Sequence, residues 1–142
     1  LIQKAIPTIE GEINDILSQI VDFSMVLDVT DGKNINCHIA YDDDRVWPLE
    51  LSSGMERFIS SLAMRVALIN VSNLPRGNFL AIDEGWGTMD SDNLNSVYSL
   101  FQYLKSQFQF TFIVSHIEQM RDAVDSLLEI KKESGFSSVN LT

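Results

Sequence analysis

Three segments of the chain repeat apolar residues at intervals of three or four positions, which is the spacing of one helix face. Two further features fit the ends of such helices: Pro7 lies near the start of the first segment, and Ser91 or Asp92 can cap the third. The second segment runs from about Ser53 to Asn70. The apolar positions are Ile6, Ile9, Ile13, Ile16, Leu17, Ile20 and Val21, then Phe58, Ile59, Leu62, Ala63, Val66 and Ile69, and finally Leu94, Val97, Phe101 and Leu104.

Shorter apolar runs bounded by turn residues predict strands. Residues 25–29 and 35–40 lie on either side of Asp31-Gly32-Lys33-Asn34, a pattern typical of a hairpin. Residues 79–82 and 110–114 are apolar runs that predict two buried strands, and a short helix is expected after the second. A last strand near 127–130, followed by a turn at Ser134-Gly135, is expected to close the chain.

The segment from Phe79 to Val114 is therefore strand, helix, strand. Two apolar strands joined by one amphipathic helix normally lie parallel, so the pattern predicts an α/β fold with a parallel sheet flanked by helices. Ligands of such sheets bind beyond the C-terminal ends of the strands. Asp83, Glu84 and His116 all fall at that edge.

Length and composition narrow the class of protein. A chain of 142 residues, 45% of them hydrophobic, is one globular domain or a piece of one. No apolar run approaches the roughly 18 residues of a membrane span, and the first residues show neither a signal-peptide pattern nor an initial methionine, as expected of a fragment or a processed chain. The single cysteine, Cys37, fits a reducing compartment.

A net charge of −10 argues against tight binding of duplex DNA by this chain alone, because the chain would repel the phosphates. If DNA is a partner, the cationic surface must come largely from elsewhere. The densest acidic run, Asp42-Asp43-Asp44, is interpreted as a solvated turn, since three consecutive side chains cannot all converge on one ion.

Asp83 and Glu84 follow a predicted buried strand and form the first candidate site. The strand fixes both carboxylates, so that one can hold Mg²⁺ through water while the other orients or deprotonates the attacking water. A strand that merely ends in two solvated acids explains the same residues equally well.

Ser53 and Gly54 open the longest predicted helix and form the second candidate site. Ser53 and Glu56 have the spacing of a capping box, in which each side chain binds the other residue's backbone N–H. The same helix start also offers N–H and O–H donors to an anion such as phosphate. The two interpretations do not exclude each other.

His116 follows the second buried strand, where it can hydrogen-bond a γ-phosphate or serve as a polar loop residue. Asp90, six residues after Glu84, can cap the next helix or shape a loop that faces a partner. His38 lies within a predicted strand and is given no role. None of the seven glycines fits the phosphate-binding pattern G-x-x-x-x-G-K-S/T, so the chain alone is expected to bind ATP poorly.

Taken together, these motifs resemble the C-terminal half of an ABC-type ATPase head, and most closely the SMC-like group of DNA double-strand-break repair proteins that includes SbcC and phage recombination endonuclease subunits. The resemblance covers about residues 51–141 and, more loosely, the segment before them. Ser53-Gly54-Met55-Glu56-Arg57 resembles the signature motif, 79–84 the Walker B strand, 85–90 the D-loop and Ser115-His116 the switch histidine. Two departures stand out: Met55 replaces the usual second glycine, and Gly85-Trp86-Gly87 replaces a stretch that commonly contains proline.

The resemblance implies a role for each matching residue. Asp83 would hold Mg²⁺ through water, Glu84 would be the general base, and His116 would sense the γ-phosphate of ATP. Ser53 and Gly54 would contact the nucleotide of a second head, with Asp90 crossing the same interface.

The resemblance also implies an organisation and partners. Residues 1–23 would be the root of a returning coiled-coil helix, and residues 24–142 the C-terminal lobe of the head, with a closing antiparallel hairpin and signature residues 52–57. The Walker A lobe would come from an N-terminal half of the same head. The implied partners are a second head bound through ATP, a calcineurin-like nuclease and DNA, without a membrane.

The implied activity is ATP hydrolysis that regulates DNA end processing by the nuclease. The implied location is the cytoplasm, either with the nucleoid or in a viral host, or the nucleus. Two alternatives stay open: a chromosome-organising SMC or RecN/RecF-like ATPase head, and a non-catalytic assembly module.

Overall fold

A computed structural model describes residues 2–83, 86–88 and 93–142. Its helices are α1 (Ile2–Leu17), α2 (Gly54–Val71) and α3 (Leu94–Gln107), with 3₁₀ turns at Leu49–Leu51, Trp86–Thr88 and Glu118–Ala123. Its strands are β1 (Ser24–Thr30), β2 (Asn34–Ala40), β3 (Val46–Pro48), β4 (Phe79–Asp83), β5 (Phe110–Val114), β6 (Leu128–Glu133) and β7 (Phe136–Leu141). The α/β class predicted from the sequence is confirmed. Among the residues that the structure describes, no helix is long and apolar enough to cross a membrane.

Strands β1, β2 and β3 form an antiparallel sheet in that order. The predicted hairpin between β1 and β2 is confirmed, and its turn places Asp31 and Gly32 at positive φ, where glycine is strain-free. The three-residue strand β3 was not predicted. Helix α1 packs on α2 and β1, and ends at Leu17 rather than continuing to Val21, although Ile20 beyond its end remains buried.

Strands β4 and β5 pair in parallel, as predicted, with Phe79 opposite Phe110 and Asp83 opposite Val114. Helix α3 links the two strands. Its N-cap position is occupied by Asn93 rather than by Ser91 or Asp92, which lie outside the described residues. Strands β6 and β7 form the closing antiparallel hairpin, and β6 continues to Glu133, three residues further than predicted.

One hydrophobic cluster joins α1, α2 and α3 with the inner faces of the antiparallel β1–β3 sheet and of the parallel pair. Leu80, Ile82 and Ile113 point from the parallel strands toward this cluster, whereas the alternate residues of the same strands are exposed. The exposed fractions are 65% for Phe79, 59% for Phe110 and 44% for Phe112. The prediction that both strands are buried is therefore correct for one face only, and the other face of the parallel pair is an open apolar surface.

Candidate functional site

The C-terminal edge of the parallel pair carries two of the predicted site residues. Asp83 ends β4 directly opposite Val114 of β5, and His116 lies two residues after Val114. Both side chains are exposed rather than turned into the core. Because the strands run in the same direction, the fold brings the carboxylate and the imidazole to one rim of the sheet.

Glu84 and Asp90, the predicted general base and D-loop residue, lie outside the described residues. Among the residues that the structure describes, no group of three or more His, Cys, Asp or Glu side chains is arranged to hold a metal. A single carboxylate still suits Mg²⁺, which commonly takes one or two carboxylates and completes its shell with water and phosphate oxygens. The Asp83 carboxylate is a ligand of the kind that such an ion takes from a protein.

Beside His116 lies a groove of about 800 Å³ between β5, the Glu118–Ala123 turn and β6. Its walls include Phe112, Met120 and Leu128. The Ser115 hydroxyl accepts a hydrogen bond of 3.1 Å from the Ile117 N–H, which fixes the chain as it leaves β5.

The start of α2 forms the capping box predicted from the sequence. The Glu56 N–H donates to the Ser53 hydroxyl over 3.2 Å, and the Ser53 N–H donates to the Glu56 carboxylate over 2.6 Å. Ser53 is exposed at the tip of this 18-residue helix. The cap and an anion site remain compatible, because the helix end still faces solvent.

Met55, the first departure from the family pattern, has only 5% of its surface exposed. Its side chain packs in the hydrophobic cluster and therefore leaves the outer side of the helix start to Gly54. The side chain that Met55 carries in place of the usual second glycine therefore lies inside the protein.

Trp86, within the second departure, is 1% exposed. The centroid of its ring system lies 4.7 Å from the ring centroid of Phe58 on α2 and 5.5 Å from that of Phe101 on α3. This aromatic contact attaches the segment after the acid pair to both helices. The sequence pattern did not reveal this anchor, since an isolated tryptophan between glycines shows no periodicity.

Tyr41 and Trp47 are two further residues whose roles the sequence pattern did not indicate. The Tyr41 hydroxyl donates to the Glu56 carboxylate over 2.7 Å, and the Trp47 indole N–H donates to the Ser52 hydroxyl over 3.1 Å. Burial raises the pKa of Tyr41, and the bond to Glu56 raises it further. Burial alone would raise the pKa of Glu56, but the hydrogen bonds from Tyr41 and Ser53 outweigh it and lower that pKa.

Comparison with known proteins gives relatives in sequence and in fold. No protein-family model matches the chain. An uncharacterised protein of Acanthamoeba polyphaga mimivirus is 31% identical over 98% of this chain and 11% of its own length. The SbcC component of the SbcCD nuclease of Rhodobacter capsulatus is 35% identical over 58% of this chain and 7% of its own length. The chain therefore spans only about a tenth of these relatives.

A solved structure from work on ATP-driven dimerisation and DNA-stimulated activation of SMC ATPases matches 99% of this chain and 87% of its own, with a TM-score of 0.80 and 16% identity. At that identity the likeness shows the fold. The sequence match supplies the SbcC relationship, and the two findings agree with each other. The chain is therefore homologous to SbcC proteins in sequence and has the fold of SMC-type ATPase heads, as the motifs predicted.

Proposed function

We propose that the chain is one half of an ATP-hydrolysing head, which engages a second head when ATP is bound and so controls DNA end processing by a partner nuclease. The observation that carries the proposal is the parallel register of β4 and β5, which leaves Asp83 and His116 exposed at one rim. A lobe kept only for assembly needs neither residue at that edge.

Each rim residue has a distinct share of the chemistry. Asp83 would hold Mg²⁺ through water, and the ion would offset the charge of the nucleotide phosphates. Glu84, next along the chain, would orient and deprotonate the attacking water. The His116 imidazole would hydrogen-bond the γ-phosphate. Asp83 ends β4, Glu84 is the next residue in the sequence, and His116 follows β5. Ligands of parallel sheets bind beyond these C-terminal strand ends.

The second head would be recognised at the start of α2. Ser53 and Gly54 would meet the γ-phosphate held by that head, and Asp90 would cross the same interface. Support comes from the exposed Ser53, the inward-turned Met55 and the partial positive charge of a long helix at its N-terminus. The γ-phosphate would then join the two heads.

The remaining half of the site would come from a Walker A lobe that carries G-x-x-x-x-G-K-S/T. The exposed apolar face of β4 and β5 supports this proposal, because parallel sheets are normally covered on both faces and two strands rarely stand alone. Phe79, Phe110 and Phe112 offer a large surface for such a lobe. Residues 1–23, which include α1, would be the root of the returning coiled coil.

DNA and the nuclease would act through other parts of the assembly. The net charge of −10 does not favour phosphate contact by this chain, so the cationic surface would lie elsewhere in the complex. A calcineurin-like nuclease is the proposed partner, in the cytoplasm or nucleus.

The proposal is tested in the complete head, assembled with its Walker A half. Glu84→Gln should abolish ATP turnover and lengthen the lifetime of the ATP-bound dimer, because the water is no longer activated while the γ-phosphate persists. Ser53→Arg should prevent dimerisation and leave nucleotide binding by the Walker A half intact. Steady-state hydrolysis and size-exclusion chromatography with light scattering measure both effects.

Unchanged hydrolysis by Glu84→Gln would contradict the catalytic assignment, and normal ATP-dependent dimerisation by Ser53→Arg would contradict the contact with the second head. A wild-type head without any ATPase activity would support a non-catalytic assembly module instead.

A chromosome-organising SMC head is the second candidate within the same class, because solved SMC heads share this fold. The two candidates differ in what the head controls. Copurification of the full-length protein with a nuclease favours the repair function, whereas loading onto DNA without nuclease activity favours the chromosomal one.

A further inference from the structure

Two aromatic side chains hold the residues on either side of Ser53. Tyr41, directly after β2, donates to Glu56, three residues after Ser53. Trp47 in β3 donates to Ser52, the residue before Ser53. Ser52 is buried, with 7% of its surface exposed. The start of α2 is therefore fixed from the antiparallel sheet as well as by its own capping box.

The two aromatic rings act as one unit. Their centroids are 5.5 Å apart with 26° between the ring planes, and the ring centroid of Phe23 lies 5.6 Å from that of Tyr41. The Arg45 guanidinium lies 5.3 Å from the Tyr41 ring centroid and is paired with Asp42 over 2.7 Å. A ring held by this many neighbours keeps its hydroxyl in one place.

Both oxygens of the Glu56 carboxylate are occupied. Oε1 accepts from Tyr41 over 2.7 Å, and Oε2 accepts from the Ser53 backbone over 2.6 Å. An ordinary capping box uses only the second of these bonds. The hydroxyl of Tyr41 adds a second tether that keeps the negative charge of Glu56 facing the antiparallel sheet.

We propose that Tyr41 and Trp47 are positioning residues for nucleotide-dependent head engagement: they keep the Glu56 carboxylate and the Ser52 hydroxyl turned inward, so that Ser53 faces an incoming phosphate without a free carboxylate beside it. The inference rests on the proposed function of Ser53. Without the Tyr41 hydroxyl, Oε1 of Glu56 loses its donor and only the Ser53 N–H still holds the carboxylate. The free oxygen then turns more readily toward solvent, where its charge repels a phosphate.

Tyr41→Phe in the complete head tests the inference, because it keeps the ring stack and removes only the hydroxyl. The ATP concentration for half-maximal dimerisation should rise about tenfold, the equivalent of one hydrogen bond to a charged group. Binding of ATP to the undimerised head, measured in the Ser53→Arg background, should stay within about twofold of the value for Ser53→Arg alone. A purely structural defect would change both quantities.

Tyr98→Phe, a matched change of an exposed tyrosine on α3, is the control and should leave dimerisation unchanged. Trp47→Phe is the second variant, since it keeps an aromatic ring but removes the donor to Ser52, and it should weaken dimerisation in the same direction. All variants are compared well below their own unfolding midpoints.

If the wild-type, Tyr41→Phe and Trp47→Phe heads all dimerise at the same ATP concentration, the positioning role is overturned and the proposed function is not. A wild-type head that never dimerises on ATP overturns the proposed function and this inference with it. A rise for Tyr41→Phe with unchanged ATP binding supports the inference.

Discussion

The Glu56 carboxylate is hydrogen-bonded through both of its oxygens at the start of α2. It faces the Tyr41 hydroxyl and the Ser53 N–H, and these bonds outweigh its burial and lower its pKa below the ordinary 4.5. A carboxyl group whose pKa is lowered by folding stabilises the fold above its unfolded-state pKa, and that contribution is lost as the pH falls through the folded-state pKa.

Glu56→Gln should therefore destabilise the complete head at neutral pH and matter progressively less below pH 4.5, where the wild-type carboxyl becomes protonated. Thermal unfolding of both proteins from about pH 7 to about pH 3 measures the difference. Glu133→Gln, at the exposed end of β6, is the matched control for a change of net charge. A difference between wild type and Glu56→Gln that stays constant over the whole range would contradict the assigned pKa direction.

At the scale of elements, the Trp86 side chain joins α2 and α3 through its contacts with Phe58 and Phe101. The ring is almost fully buried, so Trp86→Ala should lower the free energy of unfolding by about 3–5 kcal/mol. The indole N–H has no hydrogen-bond partner among the described residues. Trp86→Phe should therefore cost less, about 1–2 kcal/mol, since it retains a ring and removes an unsatisfied donor.

Chemical denaturation of the two variants measures both values. Equal losses for alanine and phenylalanine would show that ring packing is not what holds the segment after β4.

Elements with a strong local pattern were predictable from the sequence. Helix α2 has a capping box at Ser53 and a continuous apolar face. Strands β4 and β5 are apolar runs of strand length, although each is buried on one face only. Their pairing followed from the single helix between them. The rim location of Asp83 and His116 followed in turn, because it depends only on strand direction.

The contacts between distant segments were not predictable in the same way. Tyr41 reaches Glu56 across 15 positions of sequence, and β3 is only three residues long, too short for its alternation to be recognised. Trp86 likewise depends on how α2 and α3 pack together. Tertiary packing decides each of these features, and one sequence carries no local signal for it.

At the scale of the whole molecule, the parallel pair leaves one apolar face uncovered, formed by Phe79, Phe110 and Phe112. Phe112→Glu places a charge in the middle of this face and should weaken association with the Walker A half by about tenfold or more, because burial of an unpaired carboxylate is unfavourable. Leu74→Glu is the control, since Leu74 is 77% exposed in the loop after α2 and belongs to neither strand.

Titration calorimetry between the separately purified halves measures the association. Equal affinities for the two glutamate variants would place the contact between the halves on another surface.

The free edge of β1 is closed in an unusual manner. Strand β1 is the outer strand of its sheet, yet Asn14 of α1 donates to the Met25 carbonyl over 2.9 Å and accepts from the Met25 N–H over 2.7 Å, while Glu10 accepts from the Leu27 N–H over 2.6 Å. Helix side chains thus occupy the positions that a fourth strand would use. At Met25 and Leu27 the edge of β1 therefore has no free N–H to pair with a strand of another molecule. Edge-to-edge aggregation through these residues is blocked as long as α1 stays packed on β1.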